Sequence, residues 1–359
     1  MRTCTAPSSI SSSNERHLKP HDLVWAALAL LFAAFSVIWP NTGAAGIAQG
    51  GIPRGYHMAL AFLAIAAFSL LAGRLESALS AKAGAMASKK KAGILRGLAS
   101  FVRTYYPQPL IAAFFPESIL LSAQALGGLS HDDFFMAADQ RIFGFQPARE
   151  FSRAFGHLPW LNEIMFAVYI GYFAFMVFAI WIPYFKGDRA EGERQMFVVA
   201  ALIAVACVWY VFFRVQGPKY WLPDLREAWY DGFKGGFFVG LFKSTLAHAT
   251  LSGAAFPSTH VILTCATLAL AFKNDRRYFA VYLPIAVLIL CSTVYIYAHW
   301  AVDILGGIAF VGVFAPLFYR LYVKADRVAL RLSNGPAQAN GTRGSAEGST
   351  EGSAEGERS

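Results

Sequence analysis

The stretch from Phe256 to Gly307, FPSTHVILTCATLALAFKNDRRYFAVYLPIAVLILCSTVYIYAHWAVDILGG, decides the fold. Two apolar runs, Phe256 to Lys273 and Tyr278 to Ile296, are joined by a short charged turn, and a third run opens at Ala301. As helices of about 18 and 19 residues they reach roughly 27 and 28 Å, close to the thickness of a bilayer's hydrocarbon core. The chain therefore crosses and returns. His260 and His299 start from the same membrane face.

The rest of the chain extends this pattern. Of 359 residues, 56% are hydrophobic and 15% charged, and mean hydropathy is +0.44. Windows of membrane length predict helices near 22–40, 57–73, 107–127, 161–185, 196–213, 256–273, 278–296 and 301–323. The fold class is all-α: a polytopic membrane helical bundle of about eight hydrophobic segments. The third segment carries Pro116 and Glu117 in its middle, which allows a broken or re-entrant helix. Between the third and fourth, Asp132 to Trp160 mixes charges with aromatics and reads as amphipathic structure at the interface.

Charge placement orients the bundle. If all eight segments cross and the N-terminus is cytoplasmic, about 22 of the 31 Lys and Arg lie inside, among them Lys89 to Arg96, Lys186 to Arg194 and Lys273 to Arg277. Removing the third crossing breaks that asymmetry, so it counts as a crossing. Both termini are then cytoplasmic, and the two histidines face the extracytoplasmic side of a plasma or inner membrane. The +9 net charge is explained by these loops and requires no nucleic acid. The first apolar run follows about twenty polar residues, long for a signal peptide, although Thr42 to Ala48 is rich in small residues like a cleavage site. The favoured reading is an uncleaved first helix.

Four units follow: a polar N-terminal tail (1–21), two transmembrane helices with a basic cytoplasmic loop (22–104), a membrane core (105–323) and a disordered cytoplasmic tail (324–359). The Gly/Ser/Glu-rich run from Gly341 to Ser359 has nothing apolar to bury and is expected to be disordered. Cys4, Cys207, Cys265 and Cys291 show no metal-ligand or disulfide spacing. No cofactor or metal is expected.

Chemistry concentrates at the two histidines. Asp303 stands four residues after His299, so on a helix starting near Trp300 the two share a face. A carboxylate there can fix the imidazole tautomer and leave the other ring nitrogen as a nucleophile. His260 would protonate a leaving group and later deprotonate an acceptor, both suited to an imidazole of pKa about 6.5. The alternative is a pair of interfacial histidines with satisfied rings. Ionisable groups at this depth are costly, which weighs toward function.

FPSTH and CSTVYIYAHWAVDILGG (Cys291 to Gly307) resemble the second and third motifs of the type 2 phosphatidic acid phosphatase superfamily, usually Pro-Ser-Gly-His and Ser-Arg-x5-His-x3-Asp. Thr259 replaces the glycine and Thr293 the arginine. Ser-Thr-x-Tyr before the histidine is similar to the inositol phosphorylceramide synthase, or inositolphosphotransferase-like, branch. So are Ala137 to Ala148 and Ala167 to Met176, and Arg214 to Trp221 occupies the place of the first motif. The resemblance spans about residues 105 to 323 and implies a six-helix phosphatase-like catalytic core.

It further implies that His299 attacks phosphorus to form a phosphohistidine, Asp303 orients it and His260 is the general acid and base. Ser258 would hold a phosphoryl oxygen with the help of its helix N-terminus. With Thr293 in the arginine's place, Lys219 and Arg214 are the leading phosphate-binding cations, ahead of Arg226, Lys234 and Lys243. The implied partners are membrane lipids, a phospholipid donor with a lipid or polyol acceptor. A lipid phosphate or polyprenyl pyrophosphate phosphatase is the alternative enzyme, and a transporter or scaffold the alternative outside enzymes. The aromatics from Lys219 to Phe238 form a lipid-entry groove or an interfacial belt, and Gly235 and Gly236 suggest a lid.

Overall fold

The computed structural model describes residues 18–38, 54–83, 89–225, 232–246 and 252–339. They form an all-α bundle in the order α1 (Pro20–Ile38), α2 (Arg54–Ala83), α3 (Lys89–Tyr105), α4 (Pro107–Leu126), α5 (Asp132–Phe143), α6 (Pro147–Phe155) and α7 (Pro159–Phe185). There follow α8 (Arg189–Phe212), α9 (Pro218–Trp221), α10 (Phe237–Leu246), α11 (Thr259–Asn274), α12 (Arg276–Tyr295) and α13 (Ala301–Ala339). Among the described residues, β structure is confined to isolated bridges from Val215 to Gly253 and Ala254.

Among the described residues, seven helical stretches are long and apolar enough to cross a membrane. They answer to seven of the eight expected segments. The other, expected at 256–273, is α11, which is 16 residues long. It is bounded by polar caps: the Ser258 hydroxyl accepts from the Val261 N–H at one end, and the chain turns extended at Asp275 at the other. At 1.5 Å per residue α11 still reaches about 24 Å. It packs among α7, α8, α12 and α13 and is the inner strut of the core.

The third segment is a continuous helix through Pro116. The basic stretch Lys89 to Arg96, read as loop from its charges, is the start of α3, which runs almost directly into α4. Residues 324–339, expected to be a disordered tail, instead continue the last helix to Ala339, and the Leu18 N–H donates to Ser333 near its end. Gly341 to Ser359 lies outside the described residues, as do residues 1–17 and Arg226.

Helix α8 is the axis of the bundle, with 78% of its membrane window buried, and α1, α4, α7 and α13 pack around it. Each of its two ends carries a buried polar cluster. At the Glu193 end, Lys19 reaches Glu193 at 3.1 Å, and Asp22 accepts from the Arg103 guanidinium (2.8 Å to Nη1) and the Tyr106 hydroxyl (2.5 Å). Asp22 and Arg103 are both buried, and an ion pair out of water persists because each member compensates the other. This cluster ties α1, α3 and α8 together. The candidate site lies at the opposite end of α8, about 26 Å away along the axis.

At the Glu193 end, Asp275 also caps α12 by accepting from the Arg277 N–H (2.9 Å) and the Tyr278 N–H (3.3 Å). Lys186 binds the same carboxylate at 2.9 Å, chaining the α7–α8 turn to the α11–α12 turn. The Lys186 contact is the main reason the Asp275 carboxyl is pulled down to about 2.

Candidate active site

The short turn from Tyr295 to Ala301 delivers His299. Helix α12 ends as the Ala298 and His299 N–H groups both donate to the Thr293 carbonyl (3.1 and 3.0 Å), and Tyr297 takes a left-handed φ of 64°. A non-glycine residue in that region is uncommon and is held by its surroundings. Here the Tyr297 carbonyl accepts from the Lys219 N–H at 2.9 Å, and its hydroxyl meets Ser152 at 2.6 Å.

Helix α13 then starts under two carboxylates. Asp303 Oδ2 accepts from the Trp300 N–H at 3.0 Å, within its own first turn. Asp139, on α5, accepts from the N–H groups of Ala301 and Val302, both at 2.9 Å. These are the donors that a helix start leaves unsatisfied. Burial pushes the Asp139 carboxyl above its usual range, and the two N–H groups oppose that rise.

Asp132, seven residues before Asp139 and so on the same helix face, is buried beneath the site. It accepts from Gln216 N–H (2.7 Å), Gly217 N–H (2.8 Å), Trp300 Nε1–H (2.8 Å) and the Ser130 hydroxyl. One carboxylate thus holds both the segment that carries Lys219 and the turn that carries His299. Gly217 has φ 89°, and a Cβ there would collide with the Ala298 carbonyl. The two segments touch backbone to backbone one residue before His299.

Close helix packing completes the approach. Side chains at Gly306 and Gly307 would run into Phe256 and Val261, so α13 lies directly against the start of α11. His260 and His299 come within 5.7 Å, centroid to centroid, with rings inclined at 62°.

The ring of His299 is oriented at both nitrogens. Nδ1 stands 2.9 Å from the Ala255 carbonyl and 3.5 Å from Asp303 Oδ2, and Nε2 stands 3.1 Å from Ser258 Oγ. A carbonyl can only accept, so Nδ1 carries the proton and Nε2 the lone pair. The spacing led to Asp303 as the orienting partner. In the structure the Ala255 carbonyl is the closer one, and the Asp303 carboxyl is buried beside it.

Ser258, His260, His299 and Lys219 are gathered at one place. Thr259, His260, His299 and Lys219 line a cavity of ≈ 520 Å³ whose other walls include Phe115, Ile119, Ile170 and Phe242. Ser258 is fully buried at its edge beside His299. Among the described lining residues Lys219 is the one permanent cation, and it is 7% exposed.

Arg214 lies elsewhere. Its guanidinium donates to the carbonyls of Gly127 (2.8 Å) and of Ser252 (3.5 Å), so it braces Ser252 of the cavity wall from behind and does not itself line the cavity. Burial lowers its pKa, against the pull of Asp132. Thr293, at the position where the resemblance expects arginine, is buried and its hydroxyl donates to the Leu290 carbonyl at 2.7 Å. Lys234 sits on the exposed surface, and Lys243 donates to the Phe233 carbonyl at 2.9 Å. Glu163 accepts from the N–H groups of Gly236, Phe238 and Val239 and so pins the start of α10, the region read as a glycine lid. Among the described residues no three His, Cys, Asp or Glu side chains converge as a metal site needs.

The family model of the PAP2 superfamily matches residues 134–317, more than half of the chain. This protein belongs to the PAP2 superfamily. No curated protein and no solved structure matches it. Membership makes it an enzyme of the phosphatase and phosphotransferase type with lipid substrates, embedded in a membrane by its apolar helices. The matched region starts in α5 and ends in α13, and so contains Asp139, Lys219, Ser258, His260, His299 and Asp303.

Proposed function

We propose that the protein is an integral membrane lipid phosphotransferase that works through a phosphohistidine on His299, at the extracytoplasmic face, in the manner of inositol phosphorylceramide synthases. The observation that carries this reading is the unprotonated Nε2 of His299, set by the Ala255 carbonyl and meeting Ser258 Oγ at the edge of a largely apolar cavity that His299 lines.

Nε2 attacks the donor's phosphorus. The P–N bond forms as the bond to the leaving oxygen breaks, and His260 gives that oxygen its proton. An acceptor alcohol then loses its proton to His260 while its oxygen attacks phosphorus, and the P–N electron pair returns to Nε2. Ser258 releases its contact with Nε2 to hold a phosphoryl oxygen, and Lys219 faces the charge that develops there. Nothing in these steps requires a metal ion.

Transfer is favoured over release of a terminal phosphate by the cavity's charge. A single lysine, with Thr293 bonded back into its helix, suits the single negative charge of a phosphodiester better than the double charge of a monoester. The apolar wall formed by Phe115, Ile119 and Ile170 suits the hydrocarbon next to that phosphodiester. Catalysis at this site is preferred over a transporter or scaffold because membership of the PAP2 superfamily supports an enzyme.

The test is reconstitution of the purified protein in vesicles with a headgroup-labelled phospholipid, with and without a long-chain alcohol acceptor. Label moving to the acceptor and lost in His299→Ala supports transfer. Label released to water at the same rate with or without acceptor would assign the phosphatase reading instead.

A further inference from the structure

The two histidines of the cavity are held in different ways. His299 is oriented through both ring nitrogens. His260 is not: its buried Nδ1 has no hydrogen-bond partner among the described residues. A proton-transferring imidazole must nevertheless keep its ring plane fixed, since transfer falls off steeply with distance and angle.

Its restraint comes from two aromatic faces. The ring of Tyr169 stacks on His260 at 4.1 Å with 21° between planes, and that of Tyr172 lies 4.1 Å away at 38°. Both belong to α7 and are three residues apart, so they rise from one face of that helix. Phe242 of α10 braces Tyr169 edge-on at 5.4 Å. Turning the imidazole about its Cβ–Cγ bond would drive it into one tyrosine or the other. An aromatic face also attracts the imidazolium more than the neutral ring, which helps the ring carry a proton in an apolar wall.

We infer that Tyr169 and Tyr172 are positioning residues that hold His260 in its proton-transfer orientation by stacking, in place of the carboxylate or carbonyl that usually orients such a ring. The assignment rests on His260 being the general acid and base of the proposed reaction. It makes the π face, and not the phenol hydroxyl, the element that matters.

The experiment compares two donors in the full-length reconstituted protein: one with an alkoxide leaving group, which needs a proton, and one with a nitrophenolate leaving group, which does not. Tyr172→Leu and Tyr169→Leu should each slow the alkoxide donor at least about tenfold and the nitrophenolate donor less than about threefold. Tyr172→Phe and Tyr169→Phe, which keep the stack, should restore the alkoxide rate to within about threefold. In a His260→Ala background the leucine substitutions should add no further loss, because the clamp acts through that ring.

Equal losses on both donors, or full additivity with His260→Ala, would overturn the inference by showing a general packing role. Leucine variants as fast as wild type on the alkoxide donor would overturn it as well. If His299→Ala retains turnover, the proposed function fails whatever the tyrosines do. If His299 is required and the tyrosine changes behave as packing changes, the clamp alone is refuted.

Discussion

The Ala255 carbonyl accepts the Nδ1 proton of His299 at 2.9 Å, nearer than the Asp303 carboxylate at 3.5 Å. The tautomer that leaves Nε2 unprotonated is therefore set by main chain, and in the proposed reaction the part left to the carboxylate is electrostatic. Asp303→Asn removes the charge that favours the cationic ring and keeps the tautomer. We predict a fall in kcat of about 10- to 100-fold, read by steady-state transfer. A loss near 10⁴-fold would mean that the carboxylate governs the tautomer after all.

Lys219 is the permanent cation in the described cavity wall. Lys219→Gln is expected to lower kcat/KM about 100-fold, and Lys219→Arg to recover most of it, because the positive charge must face phosphoryl oxygens. The measurement is the same transfer assay. An effect below about threefold would move the cation role elsewhere.

Asp132 serves main-chain and indole donors from two segments at once. Asp132→Ala strands those buried donors, each worth about 1–3 kcal/mol when unsatisfied. Thermal unfolding in detergent should show a strongly lowered midpoint, and transfer should fall with it. A midpoint within a degree or so of wild type would refute the tie between the Lys219 segment and the His299 turn.

Gly217 is needed for a different reason. A Cβ there meets the Ala298 carbonyl, and the residue's φ of 89° is open to glycine alone among unstrained choices. Gly217→Ala should cost about 1–3 kcal/mol and displace His299 from its partners, lowering kcat more than it raises KM. An alanine variant with an unchanged kcat would show that the two segments can separate without consequence.

Asp275 gives a pH prediction. Its carboxyl lies at about 2, below the ordinary 3.8, chiefly through Lys186. A depressed folded-state pKa contributes stability that is complete above about 3.8 and lost as pH falls toward 2. The difference in unfolding midpoint between wild type and Asp275→Ala should shrink across that window. A difference that stays constant down to pH 2 would rule the contribution out.

Much of this architecture is legible in the sequence, because lipid imposes simple rules. Apolar length marks the spans, and two crossings of about equal length lead His260 and His299 to one face. What is not legible depends on tertiary contact. That Arg214 is bonded to main-chain carbonyls and stays out of the lining while Lys219, five residues on, enters the wall follows from the Gln216–Gly217 link to Asp132, which no local pattern encodes. Asp132 and Asp139 read as interfacial charge, although their spacing of seven, two helical turns on one face, was a usable sign of a shared inward role. Tyr169 and Tyr172 likewise sit at a helical spacing in an aromatic-rich span, where nothing in the local pattern separates them from their neighbours. Lys89 to Arg96 reads as loop by charge, yet α3 carries it as helix because the adjoining apolar face packs on α2 and α8.

The most direct test of the central claim is chemical trapping of the intermediate. Wild-type protein mixed briefly with phosphorus-labelled donor lipid and quenched should carry acid-labile, base-stable label on His299, and His299→Ala should carry none. Label that persists in His299→Ala, or wild-type turnover with no trapped label while the donor is consumed, would contradict the account.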